Sequence, residues 1–185
     1  MVINLGMYYG NQIHVGYLRE GQHVQSRRWL PRYDSLLVVG ADRKAAILDR
    51  DPGAAAALEG HAAVVQNLRL IRSRDGRTGE DVWTPKEKRW SEAALAMDRA
   101  GNLLFVFCRA PMSMHELNQL LLRLPLQIVR AQHLEGGPEA SLSIHAGGVN
   151  LDLCGSFETG FFPSDLNKQQ WPLPNVLGVA RVRDR

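Results

Sequence analysis

Helical periodicity is scarce in this sequence, and that scarcity limits the folds open to it more than any other feature. In 185 residues one stretch carries a full helix signature. Ser113-Met114-His115-Glu116 has the form of a capping box, in which the serine hydroxyl accepts from the amide three residues on and the glutamate accepts from the serine's own amide. Met114, Leu117, Leu121 and Leu124 then recur at helical spacing and Pro125 closes the run, which predicts a helix near 114–124 with its methionine and leucines in the core. Ala54 to Leu58, after Asp51-Pro52-Gly53, offers one or two further turns. The rest is mostly short apolar or alternating runs broken by turn residues, which is the pattern of strands.

Taken in order, residues 2–9 form a short apolar run ended by Gly10-Asn11. Ile13–Leu18 and His23–Ser26 flank Arg19-Glu20-Gly21-Gln22 as a hairpin, and Leu36–Val39 is a brief strand. Ala62–Ile71 reads as one strand, followed by a long polar loop from Arg72 to Arg89. Ser91–Met97 and Asn102–Cys108 make a second hairpin about Asp98-Arg99-Ala100-Gly101. Its second arm, Leu103-Leu104-Phe105-Val106-Phe107, is apolar on both faces and is predicted to be a central strand. Val149, Leu151 and Leu153 share a face of a later strand, and the chain from Gly155 onward is irregular. The predicted class is therefore α+β, a mainly antiparallel or mixed sheet with few helices, in a single domain over 1–185.

A net charge of +3 with scattered arginines gives no nucleic-acid footprint. Ser26-Arg27-Arg28 and the tail Arg181–Arg185 read as solvated ends. No uninterrupted apolar run is long enough to cross a membrane, and no signal peptide is visible after Met1. Cys108 and Cys154 end apolar runs and read as buried free thiols. Neither they nor His14, His61 and His145 have metal-ligand spacing.

Between Leu126–Ala131 and Ser141–Ile144 lies His133-Leu134-Glu135-Gly136-Gly137-Pro138-Glu139-Ala140. Two glycines there can take backbone angles closed to other residues and let a ligand approach the main chain. Two carboxylates and a histidine crowd the same turn. A glycine-rich hairpin loop with solvated glutamates fits the spacing equally well.

Several landmarks stand in order along the chain. They are Ile3-Asn4-Leu5-Gly6-Met7-Tyr8 with Val15-Gly16-Tyr17, the glutamine-bearing Val64-Val65-Gln66-Asn67, and the hairpin Ala94–Phe107. The serine-opened helix, the leucine-acid-glycine-glycine turn and Pro174-Asn175-Val176-Leu177-Gly178-Val179 complete the set. Together they resemble the phosphodiester glycosidase domain family. Three positions depart from the pattern. Glu135 stands where the family has aspartate, Pro138-Glu139-Ala140-Ser141 follows the glycines where serines are usual, and Glu92 occupies the place of an arginine. Relatives also have strands before the asparagine motif, so the expectation is either a shortened member or a chain whose N-terminal portion is missing.

The resemblance implies a hydrolase of glycosyl phosphodiesters, with a carbohydrate or sugar-phosphodiester ligand and an extracytoplasmic setting. The missing arginine keeps a second reading open, a carbohydrate- or phosphate-binding module without catalysis. Carboxylates stabilise or attack the cationic anomeric carbon in glycoside cleavage. Glu135, His133 and Glu92 are thus the candidate catalytic residues, with Glu135 as nucleophile, base or stabiliser. Candidate substrate-binding residues are Asn4, Gln66, Arg109, Gly136, Gly137, Glu139 and Glu158. Arg109, ahead of Arg69, would clamp a departing phosphate. Asn4 and Gln66 are equally suited to fixing nearby backbone. No cofactor is predicted, and the residues leave a divalent cation and the oligomeric state open.

Overall fold

A computed structural model describes residues 1–50 and 58–181, so the helical turns expected from Ala54 and most of the arginine-rich tail lie outside the described residues. The hairpin predicted around residue 100 forms as β1 (Trp90–Asp98) and β2 (Leu103–Met112). Strand β1 is the axis of the fold because both its faces are buried. Ala93, Leu95 and Met97 point into one core with Ile3, Leu37, Ile47, Val65 and Leu142. Ala94 and Ala96 point the other way, against Leu70, Ile71 and the helix residues Met114, Leu117 and Leu121. Alternation with a period of two thus feeds two cores from a single strand.

Three antiparallel sheets build these cores. In the central sheet, β1 lies between β2 and β3 (Ile128–Gly136), followed by β4 (Arg69–Arg72) and β5 (Glu80–Asp81). A second sheet runs β6 (His23–Ser26), β7 (Leu18–Glu20), β8 (His61–Asn67), β9 (Ser35–Gly40) and β10 (Ala45–Asp49). The third places β11 (Val2–Asn4) between β12 (Ser141–Ala146) and β13 (Val176–Gly178), with β14 (Val149–Cys154) outside β12. Every described pairing is antiparallel.

The α+β expectation is therefore corrected: the protein is predominantly antiparallel β. Its α-helix among the described residues, α1 (Met114–Arg123), has the expected capping box, with Glu116 N–H donating to the Ser113 hydroxyl and Ser113 N–H donating to the Glu116 carboxylate. That helix only roofs one face of the central sheet; the other core is closed by strands. The irregular C-terminal third also contributes a strand, β13, paired with β11.

Two further expectations change. Ala62–Ile71 divides at Leu68 into β8 and β4, which belong to different sheets. The doubly apolar arm β2 is at the edge of its sheet and not at the centre. Leu103, Phe105 and Phe107 pack on one core and Leu104, Val106 and Cys108 on the other, so its apolar faces report layers above and below. Both thiols are free and only half-buried.

Candidate active site

Strand β3 supplies the centre of the site. His133 and Glu135 were expected in a turn, but β3 continues through Gly136, and only Gly137–Glu139 bend, as a short 3-10 turn. The pairing of β3 with β1 runs His133 opposite Ala94 and then Glu135 opposite Ala93, with a register shift that leaves Leu134 unpaired. Such a bulge re-aims the side chains that follow it. His133 consequently lies on the face of Ala94, while Leu134 enters the inter-sheet core.

His133 Nδ1 is 2.6 Å from Oε1 of Glu92, and both side chains are buried. Trp90, two residues before Glu92 on the same strand face, donates its indole N–H to the other carboxylate oxygen at 2.7 Å. Its ring meets the imidazole edge-on. Burial opposes a charged imidazole, but the Glu92 carboxylate outweighs it and His133 binds its proton more tightly than an ordinary histidine. Glu92 is pushed up by burial, against the pull of His133 and Trp90. Among the described residues nothing bonds His133 Nε2.

Glu135 is 6% exposed and takes a 3.2 Å hydrogen bond from the Gly136 amide. Burial pushes its pKa up to about 8; His133 works against the rise, and the Glu139 and Glu92 carboxylates add to it. A carboxyl so placed is neutral at pH 7 and has a proton to give. Glu158 is half-buried and also raised, by burial first and then by Glu139.

Backbone geometry explains why the glycines are there. Gly137 has φ +63°, and a Cβ on it would sit 2.6 Å from Oε2 of Glu158. A Cβ on Gly136 would meet the Trp90 indole at 2.6 Å. The two glycines therefore let Trp90 and Glu158 pack directly against the turn that follows Glu135.

The other predicted residues are scaffolding by their contacts. Asn4 donates to the Glu139 carbonyl at 2.9 Å and accepts from Ser141 N–H at 2.8 Å, which splices β11 to the turn. Gln66 spends its amide on the backbone of Tyr17, Leu30 and Tyr33. Arg109 donates to the carbonyls of Cys154 and Asn167 and to the Asp165 carboxylate, tying β2 to the crossing segment 154–167. The site thus groups Glu92, His133, Glu135, Gly136, Gly137, Glu139 and Glu158, while Gln66 and Arg109 have their polar atoms engaged elsewhere.

Three contributors escaped the sequence reading. Tyr8 donates its hydroxyl to Glu139 at 3.0 Å, and burial followed by the Glu139 charge holds the phenol well above its usual range. Asn167 donates to the carbonyls of Pro138 and Gly155 and so fixes the crossing segment over the turn. Trp90 could have been found from its i, i+2 spacing to Glu92; the other two depend on contacts distant in sequence. Among the described residues no three of His, Cys, Asp and Glu are grouped to hold a metal ion.

A three-sheet antiparallel scaffold thus holds a carboxyl-rich glycine turn. The chain belongs to the phosphodiester glycosidase family, whose model matches residues 2–180. A solved structure of the zebrafish N-acetylglucosamine-1-phosphodiester alpha-N-acetylglucosaminidase catalytic domain, auto-inhibited by its pro-peptide, is similar with a TM-score of 0.59. At 12% identity that likeness is one of fold; it covers 98% of this chain, which spans 63% of the zebrafish domain. No curated protein matches this chain.

Proposed function

We propose that the protein hydrolyses a glycosyl phosphodiester, with Glu135 protonated before the reaction. The observation that carries this reading is the buried Glu135 carboxyl, raised to about 8, on the glycine turn beside an ion-paired histidine. The substrate carries a phosphodiester anion, and a cluster of ionised carboxylates would repel it. A neutral Glu135 removes one such charge and offers a hydrogen-bond donor in its place.

In this mechanism the bond between the anomeric carbon and the phosphate oxygen breaks through an oxocarbenium-like state. Glu135 passes its proton to the departing oxygen, and His133, charged through its pair with Glu92, steadies the phosphate from Nε2. Glu158, across Gly137, is the carboxylate that takes a proton from the attacking water. Glu139, held by Tyr8 and Asn4, positions the turn.

The test is turnover of a panel of sugar phosphodiesters by wild type, Glu135→Gln and Glu158→Gln. Both variants are expected to lose at least a hundredfold in kcat, since general acid–base groups contribute about 10²–10⁴. An unchanged rate for Glu135→Gln refutes the assignment. Saturable binding by wild type with no product would make the protein a carbohydrate-binding module.

A further inference from the structure

The open rims of the three sheets are not alike. Strands β5 and β13 end their sheets with two and three residues. Strand β6 is four residues long, and its pairing with β7 shifts register at Leu18. The Ile47 N–H on the rim of β10 rests on Met97 Sδ at 3.5 Å, and β14 carries the exposed Asp152. Shortness, irregularity, cover and charge are the usual protections of a sheet edge. Strand β2 has none of them over Leu103–Cys108. It pairs with β1 in unbroken register there, and the bulge, Arg109 and Pro111 come only afterwards. Every side chain from Leu103 to Cys108 is apolar and half-buried.

The phase of the ladder decides which backbone groups are left over. Asp98 N–H donates to the Asn102 carbonyl at 3.0 Å, so Leu104, Val106 and Cys108 turn their backbone toward Ala96, Ala94 and Glu92 of β1. Antiparallel pairing alternates bonded and non-bonded positions, so the N–H and C=O of Leu103, Phe105 and Phe107 face outward. Among the described residues no group bonds them. A free row of donors and acceptors inside an apolar strip suits another strand better than water.

We propose that this rim is an interface between two copies of the chain, joined β2 to β2 across a two-fold axis at Phe105. In that register Phe105 faces Phe105 of the second copy, and Leu103 faces Phe107. Each such pair exchanges both of its N–H···O bonds. On the helix side Leu104 meets Val106, so every cross-strand pair is apolar and no charge opposes its like. Sliding one copy toward the bulge sets Leu103 opposite Arg109, and sliding it toward the hairpin turn leaves Phe107 facing Gly101. The surface is thus complementary to itself in one register, which is what an isologous contact needs. The two central sheets become one, and β2 takes the interior place for which its doubly apolar sequence is suited.

Sedimentation velocity and amide hydrogen exchange test the pairing on the intact chain. Wild type is expected to sediment as a dimer that dissociates on dilution. The Leu103, Phe105 and Phe107 amides should exchange at least tenfold more slowly in the dimer than in the diluted monomer. Those of Leu104 and Val106, bonded to β1 in either state, should change little. Leu103→Lys sets a charge against Phe107 of the second copy and should sediment as a monomer with a cooperative melt, whereas Leu151→Lys on the β14 rim should stay dimeric. Should Leu103→Lys fail to fold, the wild-type exchange pattern decides alone. A wild type that is monomeric at every concentration, a dimer unaffected by Leu103→Lys, or a dimer whose outward amides exchange freely overturns the proposal. Protection of those amides in a monomer overturns it too, because the chain then covers its own edge. Dissociation by Leu151→Lys in place of Leu103→Lys moves the interface to β14 and likewise refutes it.

Discussion

Glu135→Gln should uncouple stability from pH in a direction fixed by burial. Folding lifts this carboxyl from its ordinary 4.5 to about 8. Between those values the unfolded chain has released the proton and the folded chain still holds it, so wild-type stability falls as pH rises. The slope is about 1.4 kcal/mol per pH step, and it flattens as Glu135 itself ionises near pH 8, giving a loss of about 3–4 kcal/mol between pH 5 and pH 8. Glutamine keeps the volume and the acceptor for the Gly136 amide but has no proton to lose. The variant should match wild type within about 1 kcal/mol at pH 5, and exceed it by about 3–4 kcal/mol at pH 8. Urea denaturation at the two pH values reads this directly. With an m-value of about 2 kcal/mol per molar, the midpoints should separate by about 1.5–2 M at pH 8. Parallel stability curves for the two proteins from pH 5 to pH 8 would mean that Glu135 is ionised in the folded state, and the proton-donor role would go with it.

Other substitutions probe the frame around that carboxyl. Asn4→Ala leaves the Glu139 carbonyl and the Ser141 amide without their partner, and should cost about 2–4 kcal/mol by thermal or chemical denaturation. Glu92→Ala strands the buried His133, with an expected loss of about 3–5 kcal/mol and a lowered histidine pKa in an NMR titration; an unmoved pKa would dissolve the pairing. Gly137→Ala forces a Cβ against Glu158 at a positive φ, at about 1–2 kcal/mol of strain. Its kcat should drop more than tenfold while the fold survives, and wild-type kinetics would count against a role for Glu158.

What could be read from the sequence was local. The Ser113–Glu116 box lies within one helical turn, and the hairpin about Asp98–Gly101 closes on itself, so neighbouring residues suffice to specify each. The apolar run in β1 beside that turn likewise announces a strand. The layer each face meets is decided by segments far away, which is why β2 looked central and is not. Leu68 divides two strands because a second sheet claims Val64 and Val65, and nothing within Ala62–Ile71 reveals that competition. The site followed the same rule. The acid and glycines were visible as a cluster, whereas Glu92 meets His133 across 41 positions. Arg109 and Gln66 have the chemistry of ligand contacts, and only their backbone partners show how they are used.

The unpaired Leu134 makes the placement of Glu135 depend on counting. One residue fewer at that spot would restore regular pairing and drop Glu135 into the place Leu134 fills in the inter-sheet core, exchanging its address without altering its identity. Sequence drift at position 134 is tolerable as long as the newcomer is greasy and of similar bulk. A change of length there is not, so deleting Leu134 should abolish catalysis where replacing it with methionine or isoleucine would not.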